Sequence, residues 1–403
     1  MNCRVCSTEV TPFFSLGKMP LVNNFLKEEE IKNEKKYNLD VGFCQKCYLT
    51  QLLETIAPSE LFTDYIYFSS TSSFFLKHCK ELATYFSERF NLGPDSFVLE
   101  IASNDGSFLE QIKALNIQIM GVDPAKNIAE IANKKGIRTL PEFFSYTFAE
   151  KLKNQENIQA DLIYGANVLA HVPEIIDFVK GVKIILKSGG TAIFEFPYLK
   201  GLMENKFDTI YDEHVFYYSL IALQNLFKAA DLEIYDVELT PMQGGSLMIF
   251  ASHPGQFPLT ENLKKLEEEE RHNGFDQIET YRTIEKNVGE LKKDLLDLLM
   301  KLKSEGKKIA AYSASAKGNV LLNYFGIGSE ILDFIVDKAE SKQGLYTPGT
   351  HLMVYPPKKI QEERPDYLLV LCWNIADEIV EQLMEYHNVG GKFIIPIPKI
   401  RVV

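Results

Sequence analysis

At 403 residues the chain exceeds what one hydrophobic core usually serves, so two or three domains are expected. Apolar residues make up 46% and charged residues 24%, an ordinary globular balance. The formal net charge of −12 excludes a general nucleic-acid binder, because neutralising phosphates takes a basic face; only a local basic pocket for a small anion fits it.

The chain opens on Met-Asn-Cys-Arg-Val-Cys, without the basic-then-apolar pattern of a secretory leader. No apolar run approaches the roughly eighteen residues of a membrane helix, so the expected setting is the cytoplasm, without a membrane partner. There, six cysteines do not suggest a disulfide framework. Four of them form two matched pairs, Cys3-x-x-Cys6 and Cys44-x-x-Cys47, with 37 residues between the pairs. A two-residue gap lets both thiolates of a pair reach one tetrahedral ion, and two pairs close a four-sulfur shell with no open position. The expected metal is a structural zinc that staples a segment too small to hold its own core. A redox centre would need only one such pair, at a helix start. Cys79 and Cys372 sit in apolar surroundings and read as ordinary buried residues.

Three regions separate by composition: 1–70, 71–255 and 256–403. The first ends near Tyr65-Ile-Tyr67-Phe-Ser-Ser, an aromatic and hydroxyl patch that reads either as an edge strand or as the wall of a cleft at a domain junction. The second alternates strands, expected at Phe97–Ile101, Gln118–Val122, Asp161–Gly165 and Thr191–Phe196, with helical patterns. That alternation predicts βαβ units and a mostly parallel sheet.

Within it, Phe97–Ile101 runs into Ala102-Ser-Asn-Asp-Gly106 and then a helix. A loop of small residues lets a ligand approach the backbone, and the helix N-terminus favours negative charge. Asp123 follows Glu100 by 23 residues at the end of the next strand, where a ribose diol would lie. The loop reads Glu-x-Ala-x-Asn-Asp-Gly, a departure from the dinucleotide Gly-x-Gly-x-x-Gly that favours S-adenosylmethionine (SAM) over a nicotinamide cofactor. Glu100, Ala102, Asn104, Asp105, Gly106 and Asp123 are the expected cofactor contacts, with Asn167 at the end of the Asp161–Gly165 strand. Asp123 also stands where a helix cap belongs, and the two roles are compatible. Phe143 and Phe144 either stack near the adenine or pack in the core.

Farther on, Tyr211-Asp-Glu213-His214 is the densest ionisable cluster after the sheet. Carbon methylation needs a base to remove a proton beside a carbonyl. His214 titrates near neutrality, a neighbouring carboxylate can orient it, and Tyr211 can donate to an enolate oxygen. A lone histidine is more often packed or solvated, and His171 carries the same ambiguity.

From 257 to 306 the chain turns charged and helical, with leucines at helical spacing in Glu261–Arg271 and Ile284–Ser304. This reads as a helical connector, or as a helix pair packed on a neighbour. A second α/β unit follows, with strands at Lys308–Ser313, Ile331–Val336, Tyr367–Leu371 and Lys392–Ile395 and a helix at Ala316–Phe325. Its turn, Tyr312-Ser-Ala-Ser315-Ala-Lys317-Gly-Asn319, offers backbone N–H groups and Lys317 to a diphosphate, or is an ordinary helix start with a solvated lysine. Asp337, after the second strand, is the matching candidate for a sugar hydroxyl.

Taken in order, these features resemble the sugar C-methyltransferases that act on nucleotide-linked 4-keto deoxysugars in deoxysugar biosynthesis. The resemblance rests on the double CxxC with Leu16-Gly and Pro20-Leu-Val-Asn23, on Glu100–Gly106, Asn167-Val-Leu-Ala-His171 and Tyr211-Asp-Glu-His214. It continues through Gly244-Gly-Ser246, Ser315–Asn319, Gly344-x-x-x-Pro348-Gly-Thr350 and Leu371-Cys-Trp-Asn374. It implies a Rossmann-like class I SAM methyltransferase domain flanked by a zinc module and by a second Rossmann-like α/β domain that helps hold the nucleotide-sugar. It also implies an active site of Tyr67, His171, Tyr211, Glu213 and His214, with His214 or Tyr211 as base. Ser315, Lys317, Asn319 and Asp337 are the expected substrate contacts. One departure stands out: Leu-Met-Ile-Phe follows Ser246 where relatives often carry a basic residue, leaving the pyrophosphate contacts open.

The expected reaction is methylation at C3, in preference to C5, of a nucleotide-linked 4-keto-6-deoxyhexose by a monomer or homodimer. The rivals are O- or N-methyl transfer to a polysaccharide or its precursor, and a zinc-stapled binding subunit without activity.

Overall fold

A computed structural model describes residues 1–61 and 68–403. The N-terminal module is an antiparallel sheet of β1 (Thr11–Pro20), β2 (Lys36–Phe43) and β3 (Thr50–Leu52). Its apolar side chains Phe14, Val41 and Phe43 turn inward and are buried.

The central domain begins with helix α1 (Ser73–Arg89), capped where the Ser72 hydroxyl accepts from Phe75 N at 3.2 Å. Then come β4 (Phe97–Ile101), α2 (Ser107–Ala114), β5 (Gln118–Val122), α3 (Lys126–Lys134), β6 (Thr139–Leu140), α4 (Tyr146–Glu156), β7 (Ala160–Ala166), α5 (Ile175–Ile185) and β8 (Leu186–Pro197). The short β9 (Phe216–Tyr217), α6 (Leu220–Ala229), β10 (Glu233–Thr240) and β11 (Ser246–Ser252) complete the domain. The sheet runs β10-β11-β8-β7-β4-β5-β6; β11 is antiparallel to both neighbours, and the strands from β8 to β6 are parallel. Helices cover both faces, so β4 and β7 read as nearly continuous apolar runs. The order reverses between β4 and β7, the switch point at whose carboxyl ends ligands bind in such sheets.

Two pairings lie beyond any local pattern. β9 leaves the central domain to pair with β3, which makes it the fourth strand of the N-terminal sheet. The charged helices α7 (Glu261–His272) and α8 (Ile278–Ser304) pack against their neighbours instead of bridging solvent. Tyr281 of α8 stacks on Phe43 at 4.3 Å between ring centroids, and Lys292 donates to the Tyr324 carbonyl at 2.7 Å. Glu270 of α7 is buried and caps α6, accepting from Leu220 N at 2.6 Å and Ile221 N at 2.9 Å. That capping answers its buried charge.

The C-terminal unit is built on a third sheet, β14-β13-β12-β15-β16-β17. Its strands are β12 (Ile309–Tyr312), β13 (Phe334–Val336), β14 (Val354–Tyr355), β15 (Tyr367–Val370), β16 (Lys392–Ile395) and β17 (Arg401–Val402). Helix α9 (Ala316–Phe325) follows β12. Among the described residues no helix is long and apolar enough to cross a membrane.

Candidate active site

The two cysteine knuckles are the same turn built twice. Cys3 N donates to Thr8 O and Ser7 N to Cys3 O; in the second knuckle Cys44 N donates to Leu49 O and Tyr48 N to Cys44 O. Ser7 and Tyr48 both adopt positive φ to close the turn. All four sulfurs lie within 4.8 Å of one another, with Cys3–Cys47 and Cys6–Cys44 at 3.4 Å. A tetrahedral zinc with Zn–S bonds of about 2.3 Å sets its sulfurs about 3.8 Å apart, so the set fits the ion with little adjustment. The hydrogen bond from Cys47 lowers the Cys3 thiol to about 5, while the same contact and burial raise Cys47. These thiols hold a structural zinc.

The loop after β4 is held in a tight, partly left-handed path, with φ of 57° at Ala102, 48° at Asn104 and 79° at Gly106. A Cβ on Gly106 would lie 2.6 Å from Ile137, so the position has no room for a side chain. Asp123 clamps the loop. One of its oxygens accepts from Asn104 N and the other from Ala125 N, each at 2.9 Å, while the helix that follows has Ala125 as its N-cap and no side-chain cap. Asn104 Oδ1 accepts from Ser69 N at 2.9 Å, and Asp105 accepts from Ser107 Oγ at 2.6 Å. Burial raises the Asp123 carboxyl. Burial pushes Asp105 the same way, but its hydrogen bonds from Ser107 and Ser70 and the charge of Lys135 hold it low.

Glu100 is buried, and burial together with Asp123 and Asp105 raises its carboxyl well above the ordinary value. Its Oε2 has no hydrogen-bond partner among the described residues. An unanswered carboxyl oxygen among three acids calls for a ligand that brings positive charge and N–H or O–H donors. SAM, with its ammonium, sulfonium and ribose diol, meets that demand. Of the two aromatics considered for the adenine, Phe144 packs on Phe178 at 5.2 Å in the core, and Phe143 is exposed.

At the end of β7, Asn167 turns the chain with φ 55° and donates its N–H to Glu195 O at 2.6 Å. The turn delivers His171 beside His214, the two rings edge to face at 4.9 Å. The Val215 N–H bond to Ala170 O at 2.7 Å locks the two segments together. His214 Nδ1 lies 2.7 Å from the Thr209 carbonyl, which can only accept, so this nitrogen carries the proton. Nε2 is therefore the acceptor for the Tyr211 hydroxyl at 2.8 Å. Burial first, then the charges of His171 and Lys317, depress the His214 imidazole well below its usual value; burial lowers His171 to about 4. Both rings are neutral near pH 7. A small enclosed cavity lined by His214, Thr209, Tyr198 and Tyr217 adjoins them.

Glu213 faces the zinc module, where Asn23 Nδ2 donates to its Oε1 at 2.6 Å. Val22 N donates to Asp212 at 3.2 Å, and burial raises the Asp212 carboxyl to about 6. Tyr67 lies outside the described residues.

The C-terminal candidates separate. Ser315 Oγ caps α9 by accepting from Gly318 N at 3.1 Å. Lys317 lies 5.4 Å from the Trp373 ring centroid and donates to Gln243 O at 3.3 Å. Asn319 is fully buried and donates to Val22 O at 2.8 Å, so its amide joins this unit to the zinc module. Asp337 repeats the clamp of Asp123, accepting from Ala314 N at 2.7 Å and Ala339 N at 2.8 Å. Sequence reasoning missed Lys206 and Asp208, and carried Trp373 only within the Leu371–Asn374 motif. Trp373 donates to buried Asp208 at 2.6 Å, and Lys206 donates to Gly244 O at 2.8 Å. Lys206 thus sets a basic group beside the Gly244-Gly-Ser246 turn from 40 positions before Ser246 in the chain.

The chain matches three family profiles in succession: a zinc binding domain over 3–62, a methyltransferase domain over 75–237 and a C-methyltransferase C-terminal domain over 241–398. It is 34% identical over 406 residues to the C-methyltransferase NovU of Streptomyces niveus, across 100% of this chain and 96% of that one. Solved structures with similarity include the PH0226 protein from Pyrococcus horikoshii, at 15% identity over 49% of this chain and 96% of that chain, TM-score 0.39. A SAM-dependent methyltransferase from Clostridium acetobutylicum matches at 14% identity over 45% of this chain and 92% of that one, TM-score 0.36.

Proposed function

The chain belongs to the C-methyltransferase family, as a zinc-stapled SAM-dependent methyltransferase with the C-methyltransferase C-terminal domain, and from that premise we propose its substrate and its base. The substrate is a nucleotide-linked 4-keto-6-deoxyhexose, methylated on the carbon beside the ketone, at C3 in preference to C5. The observation that carries this reading is the Tyr211–His214 pair, a neutral imidazole lone pair taking the proton of a buried phenol. Such a pair suits removal of a proton from carbon, and heteroatom methylation has less need of it.

The ketone acidifies the neighbouring C–H. Tyr211 oxygen takes that proton as its own phenolic proton moves to His214 Nε2, and the bonding pair moves toward the ketone oxygen. Bound SAM supplies an electrophilic methyl group. His171 holds the other side of His214, and Asn23 fixes Glu213 at the mouth of the same turn. Lys317 and Lys206, flanking Trp373, are the cations available to the diphosphate. Glu100, Asp105 and Asp123, with the loop residues Ala102, Asn104 and Gly106, receive the cofactor, and Asn167 borders it.

Incubation with methyl-labelled SAM and a panel of thymidine-, uridine- and guanosine-diphosphate 4-keto-6-deoxyhexoses tests the reading. NMR should place the label on C3 with loss of its hydrogen, and unreacted sugar should take up solvent deuterium at that carbon when S-adenosylhomocysteine replaces SAM. Label on oxygen or nitrogen would overturn it.

A further inference from the structure

Between Lys206 and the Tyr211–His214 pair runs one short helical turn, Phe207–Thr209. Three residues make too little internal bonding to hold such a turn by themselves. The C-terminal unit holds it from two sides. Phe207 is fully buried and stacks on Phe325 of α9 at 5.1 Å between ring centroids, with Tyr324 at 5.6 Å. Asp208 is fully buried as well, and the indole N–H of Trp373, just past β15, donates to its Oδ2 at 2.6 Å. Its Oδ1 has no hydrogen-bond partner among the described residues, so the indole is the side chain that fixes this carboxyl. Burial raises the carboxyl to about 6 against the opposing charges of Lys317 and Lys206, which leaves it ionised near pH 7 and a strong acceptor.

The far end of the same turn meets the base. The chain leaves the helical path at Ile210 (φ −84°, ψ 104°), and a carbonyl at the end of a turn needs an outside donor. That donor is His214 Nδ1, 2.7 Å from the Thr209 carbonyl and 3.2 Å from the Thr209 hydroxyl. The carbonyl only accepts, so this contact keeps the imidazole proton on Nδ1 and leaves Nε2 bare for the Tyr211 hydroxyl at 2.8 Å. Lys317 of α9 stands near enough for its charge to weigh on His214. A single turn thus carries the packing of the C-terminal unit to the choice of tautomer.

We propose that Trp373 and Asp208 are positioning residues, whose bond seats the Phe207–Thr209 turn so that the Thr209 carbonyl holds the His214 proton on Nδ1. The inference rests on the Tyr211–His214 base pair proposed above. When the turn slips, the proton is free to settle on Nε2, which then faces the Tyr211 oxygen as a donor and cannot take the phenolic proton. Deprotonation of the carbon stops while the sugar still binds. Groups that hold a working imidazole through its other nitrogen set its tautomer, and losing such outer partners costs about 10–100-fold in activity.

The test reads the tautomer by nitrogen NMR of the zinc-loaded full chain labelled at its seven histidines, with the His214 signals assigned from their loss in His214→Gln. Wild type should show a protonated Nδ1 and a bare Nε2. Trp373→Phe keeps a ring but removes the donor, and Asp208→Ala removes the acceptor; in each, the Nε2–H form should appear. Solvent deuterium exchange beside the ketone, with S-adenosylhomocysteine bound and sugar saturating, should fall about tenfold or more, with sugar affinity within a few-fold. Asp208→Asn, which keeps an oxygen for the indole, should recover most of that loss. A merely structural contact would lower the melting temperature of the variants without moving the tautomer. An unchanged His214 tautomer in folded Trp373→Phe and Asp208→Ala proteins would therefore overturn the inference. So would a defect confined to weaker sugar binding, which makes Trp373 a wall of the diphosphate site alone. A wild type with the proton on Nε2 would remove the base reading, and this inference with it. A wild type with the proton on Nδ1 that exchanges with no sugar of the panel removes the ketone substrate alone, and the tautomer of the two variants still decides the positioning role.

Discussion

Replacing Tyr211 by Phe removes one oxygen from the pair that the proposed chemistry rests on. The phenol reaches His214 Nε2 at 2.8 Å, and both side chains are at least 90% buried, so no water is at hand to replace it. Leaving a buried acceptor unpaired costs about 1–3 kcal/mol of stability, or a fall of a few degrees in melting temperature for a chain of this size. The kinetic effect is separable and larger, because loss of a positioned base typically costs about 10²–10⁴-fold. The assay is deuterium exchange beside the ketone with S-adenosylhomocysteine bound, run below the melting onset of the variant. SAM affinity should stay within about threefold, because the hydroxyl that is removed is engaged with His214. Exchange retained within about threefold of wild type would refute the assignment of Tyr211 as the group that meets the carbon proton.

Chelation of zinc, or Cys44→Ser, should reduce the zinc content and lower the melting temperature by more than about 10 °C, because β3 and β9 lose the staple that holds their sheet; metal analysis and calorimetry check this. Asn23→Leu deprives buried Glu213 of a charge-assisted bond of about 1.5–3 kcal/mol, so kcat should drop about tenfold with zinc content unchanged; unaltered kcat would separate the module from the active site. The pH dependence follows from the depressed His171, whose imidazole falls from 6.5 to about 4. Below pH 6.5 the unfolded chain binds a proton that the folded chain refuses, so this group lowers stability as pH falls from 6.5 toward 4, with a slope of at most about 1.4 kcal/mol per pH unit. Asp208 and Asp212, raised by burial to about 6, act with the opposite sign over the same range. Denaturant titrations at pH 7 and 5 should therefore show a smaller loss, or a larger gain, of stability on acidification in His171→Asn than in wild type.

The sequence by itself determined whatever short-range order can encode. The CxxC pairs carry their turn in four residues, and the structure brings their sulfurs together. Strand and helix periods located Phe97–Ile101, Gln118–Val122 and Ala316–Phe325 to the residue, because apolar alternation, serine caps and small-residue turns act within one or two turns of chain. The Tyr211–His214 contact was within reach for the same reason, since three residues separate the partners. Only the tertiary structure decided the rest. Asn23 meets Glu213 across 190 residues, Asn319 meets Val22 across 297, and His78 meets Glu195 across 117. β9 joins a sheet whose other strands are more than 150 residues earlier in the chain. Such pairings follow from which buried polar groups find one another once the three units close, and a buried donor is satisfied by whatever acceptor the packing delivers. That is why the amide of Asn319, beside its glycine turn, reaches across to the zinc module, a contact that no local pattern encodes.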